Sequence, residues 1–111
     1  MNNKYYQSVH DILDSINRID DFIGFPKIFE KYKKDIYLRQ VVERNLEIIG
    51  EAIKRVLDID DQIKITNARK IIYARNKISH GYDEIDDEQI WNIIINHLPL
   101  LKTEVETLLK G

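Results

Sequence analysis

The segment "VVERNLEIIGEAIKRV", Val41 to Val56, has the spacing of an amphipathic helix. Apolar residues recur at steps of three and four, which puts them on one face of a helix from about Asp35 to Leu57. That apolar stripe consists of Leu38, Val42, Ile49, Ala52, Ile53 and Val56. Asn45 falls in the same stripe, and a buried amide without a partner costs about 1–3 kcal/mol. We therefore expect Asn45 to be hydrogen-bonded in the core, with a catalytic role as the alternative.

The segments before this helix predict one long and one short helix. A helix from about Lys4 to Phe22 has the same periodicity and ends at Gly24. In "PKIFEKYKK", Pro26 suits the first turn of a short helix. Its apolar side chains are expected to cover one end of a bundle: Ile28, Phe29 and Tyr32.

Two further helices are predicted in the second half of the chain. One runs from about Thr66 to Ser79 and packs through Ile71, Ile72 and Ile78. The other runs from Asp87 to about Leu109, because Asp86 and Gln89 have the spacing of a capping box. Pro99 should kink this last helix near its middle, since proline lacks the backbone donor and crowds the preceding turn.

Composition favours one globular domain over residues 1–111. A chain of this size buries roughly two-thirds of its unfolded surface, which is enough for one core. Strand signals are nearly absent, and the chain has only four Gly and two Pro. The predicted fold class is all-α, an antiparallel up-and-down four-helix bundle with an extra short helix.

Charge and residue usage exclude several classes of protein. The net charge of −2 argues against a polybasic nucleic-acid binder, so any RNA contact has to be local. Cysteine is absent, which rules out disulfides and thiolate metal sites. No leader-like apolar segment and no run of about 18 apolar residues is visible. We expect a cytoplasmic protein that does not span a membrane.

The segment "RNKISHGY" brings chemically competent residues together near a helix end. Arg75 and His80 are five residues apart, so on an ideal helix they point about 140° away from each other. Gly81 is a natural left-handed stop, and a turn there would let the imidazole swing toward Arg75. Arginine matches phosphate geometry, histidine exchanges protons near neutral pH, and Tyr82 adds a hydroxyl or a stacking face. These groups suit metal-independent cleavage of an RNA phosphodiester.

A structural interpretation of the same residues stays open. Cationic side chains near a helix C-terminus stabilise its last carbonyls, and Tyr82 can simply pack over the helix end. Asn76 either orients the imidazole of His80 or faces solvent. Glu43, Glu47 and Glu51 form an acidic line that by default is solvated, with pairing of Glu51 to Arg75 as the less favoured alternative.

Two further patterns concern ligands. Arg69, Lys70, Arg75 and Lys77 make the fourth predicted helix the most basic element, which gives a phosphate-binding track or a solvated face. No spacing of His, Asp and Glu resembles a metal site, so we expect neither a metal nor another cofactor.

The chain resembles the HepT-like toxins of the HEPN domain superfamily in several segments. "RNKISHGY" is similar to the family's Arg-x4-His-x-Tyr signature, and Val41 to Val56 is similar to its third-helix segment with an Ile-Gly-Glu-Ala core. "GYDEIDDEQIWNIIINHLPLLKTEVETLL" is similar to its C-terminal stretch. The segment "DIDDQIKITNARKI" departs from the family by lacking a Pro-Trp pair.

This resemblance implies a function. It implies a homodimeric, metal-independent ribonuclease toxin of a type VII-like toxin-antitoxin system, with Arg75 and His80 as the catalytic pair. It also implies a partner antitoxin, a minimal nucleotidyltransferase that neutralises the toxin by transferring AMP to Tyr82. The alternatives are a non-catalytic helical subunit that binds and regulates the nucleotidyltransferase, and a plain interaction bundle. Nothing in the sequence resembles a base-reading pattern.

Overall fold

The protein is an all-α bundle in a computed structural model that describes residues 3–80 and 86–111. Its α-helices are α1 (Asn3–Ile23), α2 (Phe29–Lys34), α3 (Ile36–Ile59), α4 (Ala68–Ser79), α5 (Asp87–Asn92) and α6 (Leu98–Lys110). A π-helical segment, Ile93–His97, joins α5 to α6. Within the described residues there is no strand, and the predicted fold class is confirmed.

The long helices pack in an antiparallel order through their apolar stripes. Arg55 of α3 donates to Ser8 near the start of α1, whereas Asn45 of α3 meets Arg18 farther along α1. The shared core contains Val9, Ile12, Ile16, Ile19, Val42, Leu46, Ile49, Ile53, Val56, Ile71, Ile94, Leu98, Leu101 and Val105. These side chains are fully buried or nearly so, which explains why the pattern of three- and four-residue steps recurs in every long helix.

Helix boundaries follow local chemistry. Gly24 ends α1 with a φ of +75°, a conformation that glycine adopts without strain. The side chain of Asp35 accepts hydrogen bonds from the backbone N–H groups of Tyr37 and Leu38 and so caps α3. The capping box predicted from Asp86 and Gln89 is present at the start of α5. The stop predicted at Gly81 lies outside the described residues.

The first turn of the short helix was predicted wrongly. Ile28 is extended, and α2 begins only at Phe29, so Pro26 precedes the helix and is not part of its first turn. Tyr32 is fully buried, and the rings of Tyr32 and Phe29 lie 5.4 and 5.7 Å from the ring of Trp91. These two side chains cover the end of the bundle as expected. Ile28 does not, because it is 38% exposed.

Two more boundaries differ from the sequence prediction. The fourth helix starts at Ala68, because Thr66 donates from both its backbone N–H and its hydroxyl to Glu104 of α6. The last predicted helix is interrupted by the π-helical segment, which ends two residues before Pro99. There the N–H of Leu98 bonds to the carbonyl of Ile93, and the wider turn relieves the crowding that the proline ring imposes on its preceding turn.

Asn45 is buried and hydrogen-bonded, as predicted. Its side-chain nitrogen donates to the carbonyl of Val41 at 2.8 Å, and its oxygen accepts from Arg18 at 3.5 Å. The second contact crosses from α3 to α1. Asn45 therefore helps to set the register of these two helices, which is the structural role favoured for it by the sequence.

Helices α3 and α4 approach each other closely at Gly50. A Cβ atom added to Gly50 would collide with Cβ of Arg75 and lie 2.8 Å from Cγ of the same residue. Both atoms are close to the backbone of α4, so rotation of the side chain cannot relieve the collision. The absence of a side chain at Gly50 is thus a condition for this helix pair.

We predict that Gly50→Ala destabilises the protein by about 1–2 kcal/mol, because the added methyl group forces the two helices apart. At an open helical position the same substitution would stabilise by about 1 kcal/mol. The free energy of unfolding in urea, followed by circular dichroism, gives the sign. Lys54→Ala, at an exposed position of the same helix, is the control and should be nearly neutral. A Gly50→Ala variant more stable than the wild type would contradict the close approach.

Candidate functional site

Arg75 lies on the side of α4 that faces α3. One terminal nitrogen of its guanidinium group, Nη2, donates to Oε1 of Glu51 at 3.2 Å. The other, Nη1, donates to Oδ1 of Asn76 at 2.8 Å. The Nε atom is buried and has no partner among the described residues. Two bonds therefore orient the planar group and leave one N–H on each terminal nitrogen for another acceptor.

The contact with Glu51 revises the interpretation of the acidic line on α3. Glu47 accepts a hydrogen bond from the hydroxyl of Ser79 at 3.0 Å, and Glu51 holds Arg75. Glu43 is partly buried, and burial together with the negative charge of Asp87 raises the pKa of its carboxyl. The default of a solvated face was wrong, because the line lies against α4 and α5. The less favoured pairing of Glu51 with Arg75 is the one found.

His80 is the last described residue at the C-terminal end of α4. Its φ and ψ of −83° and −5° are still helical, and its N–H donates to the carbonyl of Asn76 at 3.1 Å. The side chain is exposed and lines a cavity of about 190 Å³ together with Tyr73, Asn76 and Lys77. The backbone at His80 itself does not turn. The change of direction predicted to release the imidazole falls on Gly81, outside the described residues.

The predicted site residues are Arg75, Asn76, His80 and Tyr82, and the described structure brings only some of them together. Asn76 contacts Arg75 and also lines the cavity of His80, so it is the described link between the two sides of the motif. Arg75 is not among the described residues that line this cavity. Tyr82 lies outside the described residues, and its place relative to Arg75 stays a prediction.

A larger cavity lies beside α4, and we refer to it as the α4 groove. It measures about 460 Å³ and is lined on one side by Arg69, Lys70, Tyr73 and Ala74. The other side is formed by Gln89, Asn92, Ile93 and His97 of α5 and the π-helical segment. Burial, together with the charge of Lys70, lowers the pKa of His97. The predicted phosphate-binding track included the two cations of this groove but not Tyr73, Gln89, Asn92 or His97.

The sequence spacing of Tyr73 could have identified it as a residue of this groove. It lies four residues after Arg69 and four before Lys77, and residues at this spacing share a helix face. Gln89, Asn92 and His97 carried no such signal, because only the packing of α5 and the π-helical segment against α4 brings them to the groove. Their presence was decided by tertiary structure.

Among residues 3–80 and 86–111, no three His, Cys, Asp or Glu side chains are grouped so that they could hold a metal ion. None of the helices in the same ranges is long and apolar enough to cross a membrane.

Sequence comparisons relate the chain to ribonucleases. One protein of Methanocaldococcus jannaschii, provisionally named an RNase, is 33% identical over 103 residues, covering 92% of this chain and 84% of that protein. A second, similarly named protein of this organism is 35% identical over 102 residues, covering 88% and 90%. A Thermococcus cleftensis protein named "Probable ribonuclease HepT" is 30% identical over 114 residues, covering 99% and 100%. No solved structure matches significantly.

A family model places these similarities on the chain. The model described as "Ribonuclease HepT-like" matches residues 12–108, which include all of α3 and α4 and the whole segment from Arg75 to Tyr82. Because this match and the curated relatives both span nearly the full sequence, the chain belongs to the ribonuclease HepT-like family of the HEPN superfamily.

Proposed function

We propose that the protein is a metal-independent endoribonuclease, the toxin of a type VII-like toxin-antitoxin system, with Arg75 and His80 as its catalytic pair. The observation that carries the proposal is the Arg-x4-His motif of Arg75 and His80, which occurs here in a chain that belongs to a ribonuclease family. The guanidinium group of Arg75 is oriented by Glu51 and Asn76, and His80 lines a surface cavity at the exposed end of the same helix.

The reaction is a transesterification within the RNA strand. The 2′-oxygen of a ribose attacks the neighbouring phosphorus, the bond to the leaving 5′-oxygen breaks, and a 2′,3′-cyclic phosphate and a 5′-hydroxyl result. A neutral His80 accepts the proton of the 2′-hydroxyl, or in its charged form donates one to the 5′-oxygen. The two free N–H groups of Arg75 stabilise the negative charge that builds up on the phosphorane.

Glu51 and Asn76 act through Arg75 in this proposal. A bidentate contact with phosphate needs the guanidinium plane in one orientation, and fixing a long side chain beforehand lowers the entropy lost in the reaction. Glu51 is 40% exposed, so its charge is partly screened by solvent and does not cancel that of Arg75. Glu51 and Asn76 are therefore positioning residues.

Assembly and regulation complete the proposal. A homodimer would bring Arg75 and His80 of both subunits to a shared cleft and double the sparse positive charge there. A nucleotidyltransferase antitoxin would transfer AMP from a nucleoside triphosphate to the hydroxyl of Tyr82, with release of pyrophosphate. The added phosphate and adenosine would block the site by charge and by bulk.

The second candidate is a helical subunit that binds and regulates the nucleotidyltransferase without cutting RNA. It requires the same fold and the same partner. The hydrogen bonds of Arg75 are compatible with it, because they also stabilise the packing of α4 on α3. The two candidates differ in what His80 does.

We predict that His80→Ala reduces RNA cleavage by the antitoxin-free protein about 10²–10⁴-fold, the contribution of general acid-base catalysis. Arg75→Ala should reduce cleavage about 10²–10³-fold, because the phosphorane loses its charge stabilisation. Cleavage should persist in EDTA and leave 2′,3′-cyclic phosphate ends, detected by mass spectrometry. Circular dichroism should stay unchanged. His10→Ala and Arg44→Ala, at exposed positions of α1 and α3, are the matched controls. A wild-type protein that neither cuts RNA nor harms growing cells would favour the regulatory subunit instead.

We predict a homodimer in solution, because one subunit alone offers few cations to an RNA strand. Light scattering at micromolar concentration should give twice the mass of the chain. A mass equal to that of one chain would remove the shared cleft from the proposal, while leaving the roles of Arg75 and His80 to the cleavage assay.

We predict that co-expression with the antitoxin adds one or more AMP units to Tyr82, because this tyrosine adjoins the catalytic motif and its modification would cover Arg75. Intact mass and peptide fragmentation measure the adduct and its position. Tyr82→Phe should carry none, whereas the control Tyr37→Phe should be modified like the wild type. If the antitoxin neutralises Tyr82→Phe equally well and the wild type carries no adduct, AMP transfer is not the mechanism.

A further inference from the structure

The α4 groove combines three kinds of chemistry in one cavity. Arg69 and Lys70 supply positive charge, and Tyr73 supplies an aromatic ring. The facing wall supplies the side-chain amides of Gln89 and Asn92, whose nitrogens can donate hydrogen bonds to a ligand. The oxygen of Gln89 already accepts from the N–H of Asp86 in the capping box, and that of Asn92 accepts from the side chain of Asn96. A volume of about 460 Å³ is within the range of cavities that hold small organic groups. A ligand that fits all three is a planar ring with polar edges and an attached anion.

Positive charge is concentrated at the α4 groove, although acidic residues outnumber basic residues in the chain. The chain has 19 acidic and 17 basic residues, but no acidic residue lines the α4 groove within the described ranges. The same holds for the two neighbouring cavities, the one at His80 and one of about 450 Å³ at the α3–α4 loop. Their described linings add only Lys64 and Lys77 to the charged groups. The described linings of these three cavities therefore carry net positive charge, although the whole chain is slightly acidic.

Tyr73 joins the groove to the cavity of His80, because it lines both. The residue is 60% exposed, and Nζ of Lys77 lies 5.4 Å from the centre of its ring. From Arg69 to His80 the helix rises by roughly 16 Å. A ligand that begins at the cations and continues past the ring reaches the histidine along one helix face, which suits a linear polymer better than a compact molecule.

The facing wall depends on the π-helical segment. Its first and last residues, Ile93 and His97, both line the groove. The extra residue in this turn rotates the side chains that follow relative to a regular helix, and such interruptions are frequent at functional sites. The irregular turn therefore lies in the part of the chain that forms the facing wall of the groove.

We propose that the α4 groove binds one nucleotide of single-stranded RNA, with the base against Tyr73, the phosphate at Arg69 and Lys70, and the base edge at Gln89 and Asn92. The inference rests on the proposed function for its choice of RNA. A free nucleotide has the same ring and phosphate, so the experiment separates the two sources. Stacking tolerates every base, while the amides read the edge of the one that is bound.

Binding is measured with a fluorescent single-stranded 2′-O-methyl oligonucleotide, which lacks the attacking hydroxyl and is not cut. Tyr73→Ala should weaken binding about 5- to 150-fold, as expected for the loss of one stacked base, and Tyr73→Phe should restore most of it. Tyr37→Ala is the control, because Tyr37 is 77% exposed on α3 and away from the groove. Since Tyr73 is largely exposed, thermal unfolding of the variants should match the wild type.

The cations are tested through the salt dependence of binding. The double substitution of Arg69→Gln and Lys70→Gln should reduce the slope of log K against log salt by about 0.7, the value for one phosphate contact with a single strand. Lys54→Gln, at an exposed position of α3, should leave the slope unchanged. AMP is titrated in parallel. Binding of AMP that depends on Tyr73, without any effect of Tyr73→Ala on the oligonucleotide, would overturn the RNA assignment in favour of a free nucleotide.

The inference and the proposed function fail separately. If the wild type binds the oligonucleotide through Tyr73 but cuts no RNA, the groove stands and the catalytic proposal falls. If the wild type cuts RNA, and Tyr73→Ala and Arg69→Gln bind the oligonucleotide and cleave with wild-type KM and kcat, the groove is overturned while catalysis stands.

Discussion

The close approach of α3 and α4 at Gly50 is the constraint on which the candidate site depends. Without a side chain at Gly50, the stem of Arg75 rests directly on the backbone of α3. The next residue of α3, Glu51, then lies within hydrogen-bonding distance of the guanidinium group. A larger separation of the helices would lose this contact and leave a long, flexible arginine to find its own orientation. One missing side chain thereby serves both packing and the arrangement of charge.

This approach gives α4 two faces with different tasks. Arg75 turns toward α3, where Glu51 and Asn76 orient it. Arg69, Tyr73 and Lys77 follow the opposite side, along cavities whose described linings contain no carboxylate. Asn76 touches both sides of the motif, because it accepts a bond from Arg75 and lines the cavity of His80. A single short helix can therefore present a fixed cation and a track for a polyanion.

The distribution of charge explains how a protein with a net charge of −2 can suit RNA. Two of the acidic residues of α3, Glu47 and Glu51, are engaged with Ser79 and Arg75 of α4. Three more, Asp86, Asp87 and Glu88, line a separate cavity at the start of α5. Since charges farther apart than about 8 Å are largely screened at physiological ionic strength, local placement outweighs the total.

The sequence by itself determined the helical class, most helix positions and the residues of the motif. Apolar steps of three and four identify a helix because burial has to fall on one face, and Asp86 with Gln89 identifies a helix start through local hydrogen bonds. Such signals depend on neighbours in the chain. The contact of Glu51 with Arg75, the burial of Glu43 and the wall formed by Gln89, Asn92 and His97 depend on which helices meet. Only the tertiary structure decided these features, because the sequence around a residue does not indicate which distant helix that residue will contact.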